Sequence, residues 1–199
     1  MSDVLEVKHL SVSFFTRQGE MEAVRDVSFS LKSGEVLAIV GESGCGKSVL
    51  CKSIMKLLPA SAKQKSGQIL LEGEDITGYP ERKMCTLRGS RFSMVFQDPM
   101  TALDPAMTIG DQIAEAVKQQ KADQKQRLSR EQVYHRVEEL MELVGIDYPA
   151  ERSRQYPHQF SGGMRQRAVL AVALAGNPEI IFADEPTTAL DVTVQAQIL

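Results

Sequence analysis

Apolar and polar positions alternate from Val4 to about Leu71, broken by turn clusters such as Lys32-Ser33-Gly34, and this period of two predicts a β-rich N-terminal part. Within it, Val36-Leu37-Ala38-Ile39-Val40 is a continuous apolar run, the pattern of a strand buried on both faces of a parallel sheet. Next, Val49, Leu50, Ile54, Met55, Leu57 and Leu58 recur at helical spacing until Pro59 stops them. A short apolar stretch over 92–96 precedes a long region, 98–176, where the period turns helical. There Val133, Val137, Leu140, Met141 and Val144 make one stripe, with Ser129 and Gln132 as a capping box before it and Gly145 as a stop after it. A further helix runs through Ala168, Val169, Val172 and Leu174 to Gly176-Asn177-Pro178. Residues 179–183 read as a buried strand that ends in two carboxylates, Asp184 and Glu185, and 192–199 reads as a helix.

Composition narrows the function classes. The 199 residues are 43% apolar, enough for one large domain with a core. A net charge of −3 argues against a nucleic-acid partner, which would need a basic face. No apolar run approaches the roughly 18–20 residues of a membrane span, and no secretory leader opens the chain. Membrane contact is therefore expected through a partner. Cys45, Cys51 and Cys85 lack zinc-ligand spacing and fit a reducing cytoplasm. The polar run 118–130 reads as a solvated face or loop, with contact to acidic headgroups as the alternative.

Gly41-Glu42-Ser43-Gly44-Cys45-Gly46-Lys47-Ser48 fits G-x-x-x-x-G-K-[ST] at every fixed position, between an expected strand and an expected helix. Glycines let successive amides face phosphate oxygens, and the following helix adds its positive end. Lys47 supplies a full charge to the β- and γ-phosphates, and the Ser48 hydroxyl is placed for magnesium. Cys45 reads either as a thiol activated by the helix start or as a tolerated spacer. At the far strand, adjacent residues point to opposite sides, so Asp184 and Glu185 have separate roles. Asp184 would hold magnesium, directly or through water, and Glu185 would polarise the attacking water.

Phe160-Ser161-Gly162-Gly163-Met164-Arg165-Gln166 completes the pattern. Ser161 is an N-cap candidate, and two glycines expose amides at a helix start, which is an anion site. With the two motifs above, the chain resembles the nucleotide-binding subunits of ABC transporters. That resemblance implies that Ser161, Gly162 and Gly163 bind the γ-phosphate of the ATP held by an opposite subunit. It also implies that Gln97 reaches magnesium and senses a membrane subunit, and that Asp191, in Ala189-Leu190-Asp191, crosses the dimer interface. Phe14 falls where the family places an aromatic ring against adenine, with Phe15 as the competitor. Phe96-Gln97-Asp98-Pro99-Met100, Leu103-Asp104-Pro105 and Tyr156-Pro157-His158-Gln159 resemble the dipeptide/oligopeptide permease branch, which also includes nickel importers. Segment 100–113 would lie near the groove for the membrane subunit's coupling helix, with exposed Met100, Leu103 or Met107 as contacts.

The resemblance further implies a switch histidine after Asp191. His9, His135 and His158 all precede it, so the expectation is a chain truncated after that loop, with hydrolysis impaired to that extent. The expected fold is α/β: a P-loop NTPase (RecA-like) core with an N-terminal antiparallel β part and an inserted helical subdomain. The core would comprise 1–97 and 177–199, and the helical subdomain 98–176. The expected function is an ATP-binding, ATP-hydrolysing subunit using ATP and Mg2+ at the cytoplasmic face of the membrane. Its partners would be integral permease subunits and a second ATP-binding subunit, identical or related, with no nucleic acid. Peptide import is the expected role. Nickel import, or a soluble non-transport ATPase of the same type, is the alternative.

Overall fold

The computed structural model describes residues 3–96, 102–123 and 128–184. The chain divides into two compact units, Met1–Met84 and Cys85–Leu199.

The first unit is built on an antiparallel sheet of four strands in the order β2-β1-β3-β4, namely β1 (Asp3–Thr16), β2 (Gly19–Lys32), β3 (Ala62–Leu71) and β4 (Glu74–Asp75). The buried face of β1 is carried by Leu5, Val7, Leu10 and Val12. The step of three from Val7 to Leu10 demands an extra residue, and the ladder supplies it as a bulge with His9 at φ 51°. Gly67 of β3 faces that bulge at φ 97°, where a Cβ would lie 2.5 Å from the Leu10 Cα. Only glycine fits there. Helix α1 (Lys47–Ile54) belongs to the same unit and buries Leu50 and Ile54.

Two expectations are corrected here. Residues 36–40 are not a buried strand: Val36 and Val40 are 70% and 91% exposed, and no described strand pairs with the segment. An apolar run becomes a buried strand only with a ladder neighbour and covered faces. The sheet of this unit is complete from β2 to β4 without it. The helix after the phosphate loop also stops before Pro59. Lys56 turns left-handed at φ 52°, and the Leu57 amide closes back on the Lys52 carbonyl at 2.8 Å, an end that satisfies the last carbonyls.

In the second unit, β5 (Phe92–Val95) and β6 (Ile180–Ala183) pair in parallel, Val95 opposite Ala183. Every residue of β5 is buried, whereas β6 buries one face, through Ile180 and Phe182, and exposes Ile181. The strand expected to be buried throughout is thus one-sided. The Phe92 and Phe182 rings meet edge-on at 5.7 Å. Helix α2 (Glu81–Leu87) runs across the division between the two units in the chain. The second unit also contains α3 (Ile109–Asp123), α4 (Arg130–Leu143), the short α5 (Pro149–Arg152) and α6 (Gly162–Ala175), of which α6 packs on β5. The stripe of α4 is buried as expected, and Ser129 and Gln132 form the capping box. Each such apolar side chain contributes about 1.5–3 kcal/mol on burial. Helix α6 is buried around most of its girth by Ala168, Val169, Leu170, Ala171, Ala173 and Ala175. No described helix is long and apolar enough to cross a membrane.

Candidate functional site

The phosphate loop lies in the first unit. Gly46 is the N-cap of α1 at φ 99°, and a Cβ there would overlap the carbonyl oxygen of Ala23 on β2. That close approach fixes the loop against the hairpin and explains why the motif needs glycine there. The Lys47 ammonium turns back over the loop, donating to the carbonyl oxygens of Gly41 and Glu42 at 2.8 Å each. The Glu42 carbonyl also accepts from the Cys45 amide at 3.3 Å, which closes the Ser43-Gly44 turn. Cys45 is exposed, its sulfur 3.8 Å from the Lys47 nitrogen. Ser48 follows in the first turn of α1. An ammonium, a hydroxyl and a helix start carrying no acid in its first turn make a donor set that fits a polyphosphate and its cation.

Phe14 sits on β1 opposite Met21 and Ala62. The neighbouring pairs Val12–Val24 and Ser13–Glu22 bracket Ala23, which Gly46 touches. Phe14 therefore stands two positions along the ladder from the loop contact, about 7 Å at the strand rise. Phe15 points to the other side. It is 42% exposed, with the ammonium groups of Lys63 and Lys65 at 5.7 and 5.6 Å from its ring.

The other two motifs lie in the second unit. Asp184 directly follows β6 and is 8% exposed, its amide bonded to the Val95 carbonyl at 2.9 Å. Because β5 and β6 are parallel, both strands finish at the same end of the sheet, which is where parallel sheets place their ligands. Gln97 and Glu185 come just after those strand ends in the chain. They lie outside the described residues, as do Asp191 and Met100.

Ser161 caps α6 as expected, its hydroxyl accepting from the Met164 amide at 3.3 Å. Ser161 and Gly162 are exposed, and the first amides of a helix have no acceptor within it. Sequence reasoning assigned no role to Arg165. Its Nε donates to the Pro157 carbonyl at 2.7 Å and holds the Pro157–Gln159 turn against the first turn of α6. Phe160, 3% exposed, anchors the junction. An arginine in the first turn after Ser-Gly-Gly was the available signal. Leu103 is a correction: it is 6% exposed and packs in the helical core with Ile109 and Ile113, so it offers no surface contact. Met107 is half-buried.

Comparison with known proteins agrees with this geometry. A family model described as ABC transporter matches residues 24–188. A dipeptide transport ATP-binding protein, DppD of Bacillus subtilis, is 54% identical over 200 residues, covering 100% of this chain and 58% of its own length. The oligopeptide transport ATP-binding protein OppD of the same organism is 53% identical over 98% of this chain and 54% of its own length. The chain thus spans little more than half of these curated relatives. Among solved structures, the dimeric post-hydrolysis state of the ATP-binding cassette MJ0796, bound to ADP and Pi, matches with a TM-score of 0.83 at 27% identity. That match covers 98% of this chain and 79% of the other. A second dimeric structure of MJ0796, described as a bacterial ABC transporter cassette, gives 0.85 at 26% identity, with the same coverage. The fold is that of an ABC ATPase cassette, and the chain belongs to the ABC transporter family.

Proposed function

We propose that this chain is the ATP-binding part of a subunit that hydrolyses ATP to drive peptide import across the cytoplasmic membrane. The observation that carries the reading is the Lys47 ammonium folded over a glycine loop at the start of α1. The peptide assignment is supported by relatives named for dipeptide and oligopeptide transport.

In this reading Gly41, Glu42, Ser43, Gly44, Cys45 and Gly46 wrap the phosphates with backbone amides, and Lys47 exchanges its two carbonyl partners for phosphate oxygens. Ser48, Asp184 and Gln97 would hold magnesium. The ion supplies neutralisation of charge at the β- and γ-phosphates. Glu185 takes a proton from the attacking water as its oxygen bonds to the γ-phosphorus and the bond from that phosphorus to the β,γ-bridging oxygen breaks, the electron pair leaving on ADP and the γ-group on inorganic phosphate. Phe14 supports the adenine ring. Ser161, Gly162 and Gly163 of one subunit close the site of another, beside Asp191. Closure of two such subunits would move integral permease subunits between conformations, with this subunit peripheral on the cytoplasmic face. Residues 1–97 and 177–199 would form the ATP-binding core, and 98–176 the helical subdomain.

Reconstitution of the full-length subunit with its membrane partners in vesicles tests the cargo. ATP turnover that rises with an oligopeptide, and not with Ni2+, supports peptide import. A response to Ni2+ alone reassigns the cargo, and turnover indifferent to both points to a non-transport ATPase.

A further inference from the structure

The start of α6 is joined to the chain before it by a short link between two firmly held pieces. On one side, the Ile109 amide donates to the Gln155 carbonyl at 2.9 Å and the Gly110 amide to the Ser153 carbonyl at 2.8 Å. A Cβ on Gly110 would lie 2.7 Å from that Ser153 oxygen, so the start of α3 and this segment touch backbone to backbone. The Pro157–Gln159 turn that follows is closed in itself. The Gln159 amide donates to the Tyr156 carbonyl at 2.9 Å, and the Gln159 side-chain oxygen accepts from the Tyr156 amide at 2.8 Å. On the other side, α6 is held by the helical core that its residues from Ala168 onward enter.

Between the two pieces run Phe160 and Ser161, both extended, at φ −95° and −66°. Backbone torsions are the soft degrees of freedom of a chain, and these set the direction in which α6 presents its first amides. The Ser161 hydroxyl takes the Met164 amide, and the Ser161 carbonyl takes the Arg165 amide at 2.9 Å. The Gly162 and Gly163 amides then have no acceptor within the helix, and they are the pair left for a phosphate. Arg165 spans the link. From the helix its Nε donates at 2.7 Å to the carbonyl of Pro157, which also takes the Phe160 amide at 3.1 Å.

We propose that Arg165 is a positioning residue: its bond to Pro157 aims the Gly162 and Gly163 amides of one subunit at the phosphate held by another. Arg165 therefore governs closure of the pair and leaves nucleotide capture by the Lys47 loop untouched. The inference rests on the composite-site reading proposed above. It is the Nε donor that matters, beyond the positive charge. Lysine keeps the charge and the stem but puts a methylene where Nε stands.

The test is sedimentation of the full-length subunit carrying Glu185→Gln, with Mg-ATP, over a range of protein concentrations. The parent should dimerise. Arg165→Lys and Arg165→Met should each raise the concentration at half-dimer by at least ~10-fold, because misplacing an interacting group by about 1 Å can cost about 10²-fold. A fluorescent ATP analogue should bind both variants as it binds the parent. The lysine variant decides the matter if the methionine variant does not fold. An unmoved midpoint in Arg165→Lys overturns the inference, since charge alone would then suffice. Loss of analogue binding together with dimerisation overturns it as well. A parent that binds the analogue yet stays monomeric overturns the composite-site reading instead.

Discussion

The ammonium of Lys47 lies 2.8 Å from the carbonyl oxygen of Gly41, at the first position of its own loop. The side chain is thereby held over the loop, with its charge satisfied by backbone dipoles. Phosphate oxygens are stronger acceptors than carbonyls, because they carry full charge. Lys47→Ala should lose charge-assisted bonds worth roughly 1.5–3 kcal/mol each, weakening Mg-ATP affinity by about 10-fold or more. Nucleotide titration with circular dichroism as a control for folding measures this, and unchanged affinity would remove the site from this loop.

Ser161 caps α6, and in the proposed function it would also face a phosphate; substitution can separate the two. Ser161→Ala strips the acceptor from the Met164 amide and should cost about 1 kcal/mol of stability, read as a lowered Tm. Ser161→Asp keeps a good N-cap, so stability should return. Its negative charge at the helix start opposes a phosphate, and hydrolysis should still fail. Recovery of both stability and turnover would show that Ser161 is only a cap.

How much of this was legible in the sequence follows from how local each feature is. The phosphate loop, the Ser161 cap and the Ser129–Gln132 box depend on residues a few positions apart, and their spacing reads directly. The bulge at His9 was not read from the sequence, although its signal was there, in the broken alternation between Val7 and Leu10. Residues 36–40 misled because burial of a strand is a property of its neighbours, and no periodicity supplies a neighbour. Leu103 misled in the opposite sense, since the helices that cover it lie elsewhere in the chain.

Asp111 and Tyr134 tie α3 to α4 and give the helical part a predictable response to pH. The Tyr134 hydroxyl donates to Asp111 at 2.5 Å, and with Thr108 it holds that carboxyl below its usual range. A depressed carboxyl stabilises the fold above its unfolded value of about 3.9, and that contribution is lost as pH falls through the folded value. Tyr134 itself is raised, chiefly by Asp111, so its share persists below about pH 10 and fades as pH climbs through the folded value. Tyr134→Phe should therefore cost about 0.5–1 kcal/mol near pH 7, at the low end because the pair is solvent-exposed. Denaturant midpoints should converge with the parent below about pH 4. A difference that stays constant down to pH 2 would contradict the assignment.

The central claim is that two such chains complete each other's ATP sites, and its most direct test is Mg-ATP hydrolysis measured against protein concentration. The account predicts turnover per chain that rises with concentration, together with a drop of about 10²–10⁴ in Glu185→Gln, a variant that still binds Mg-ATP. Turnover per chain independent of concentration, or undiminished in Glu185→Gln, would contradict it.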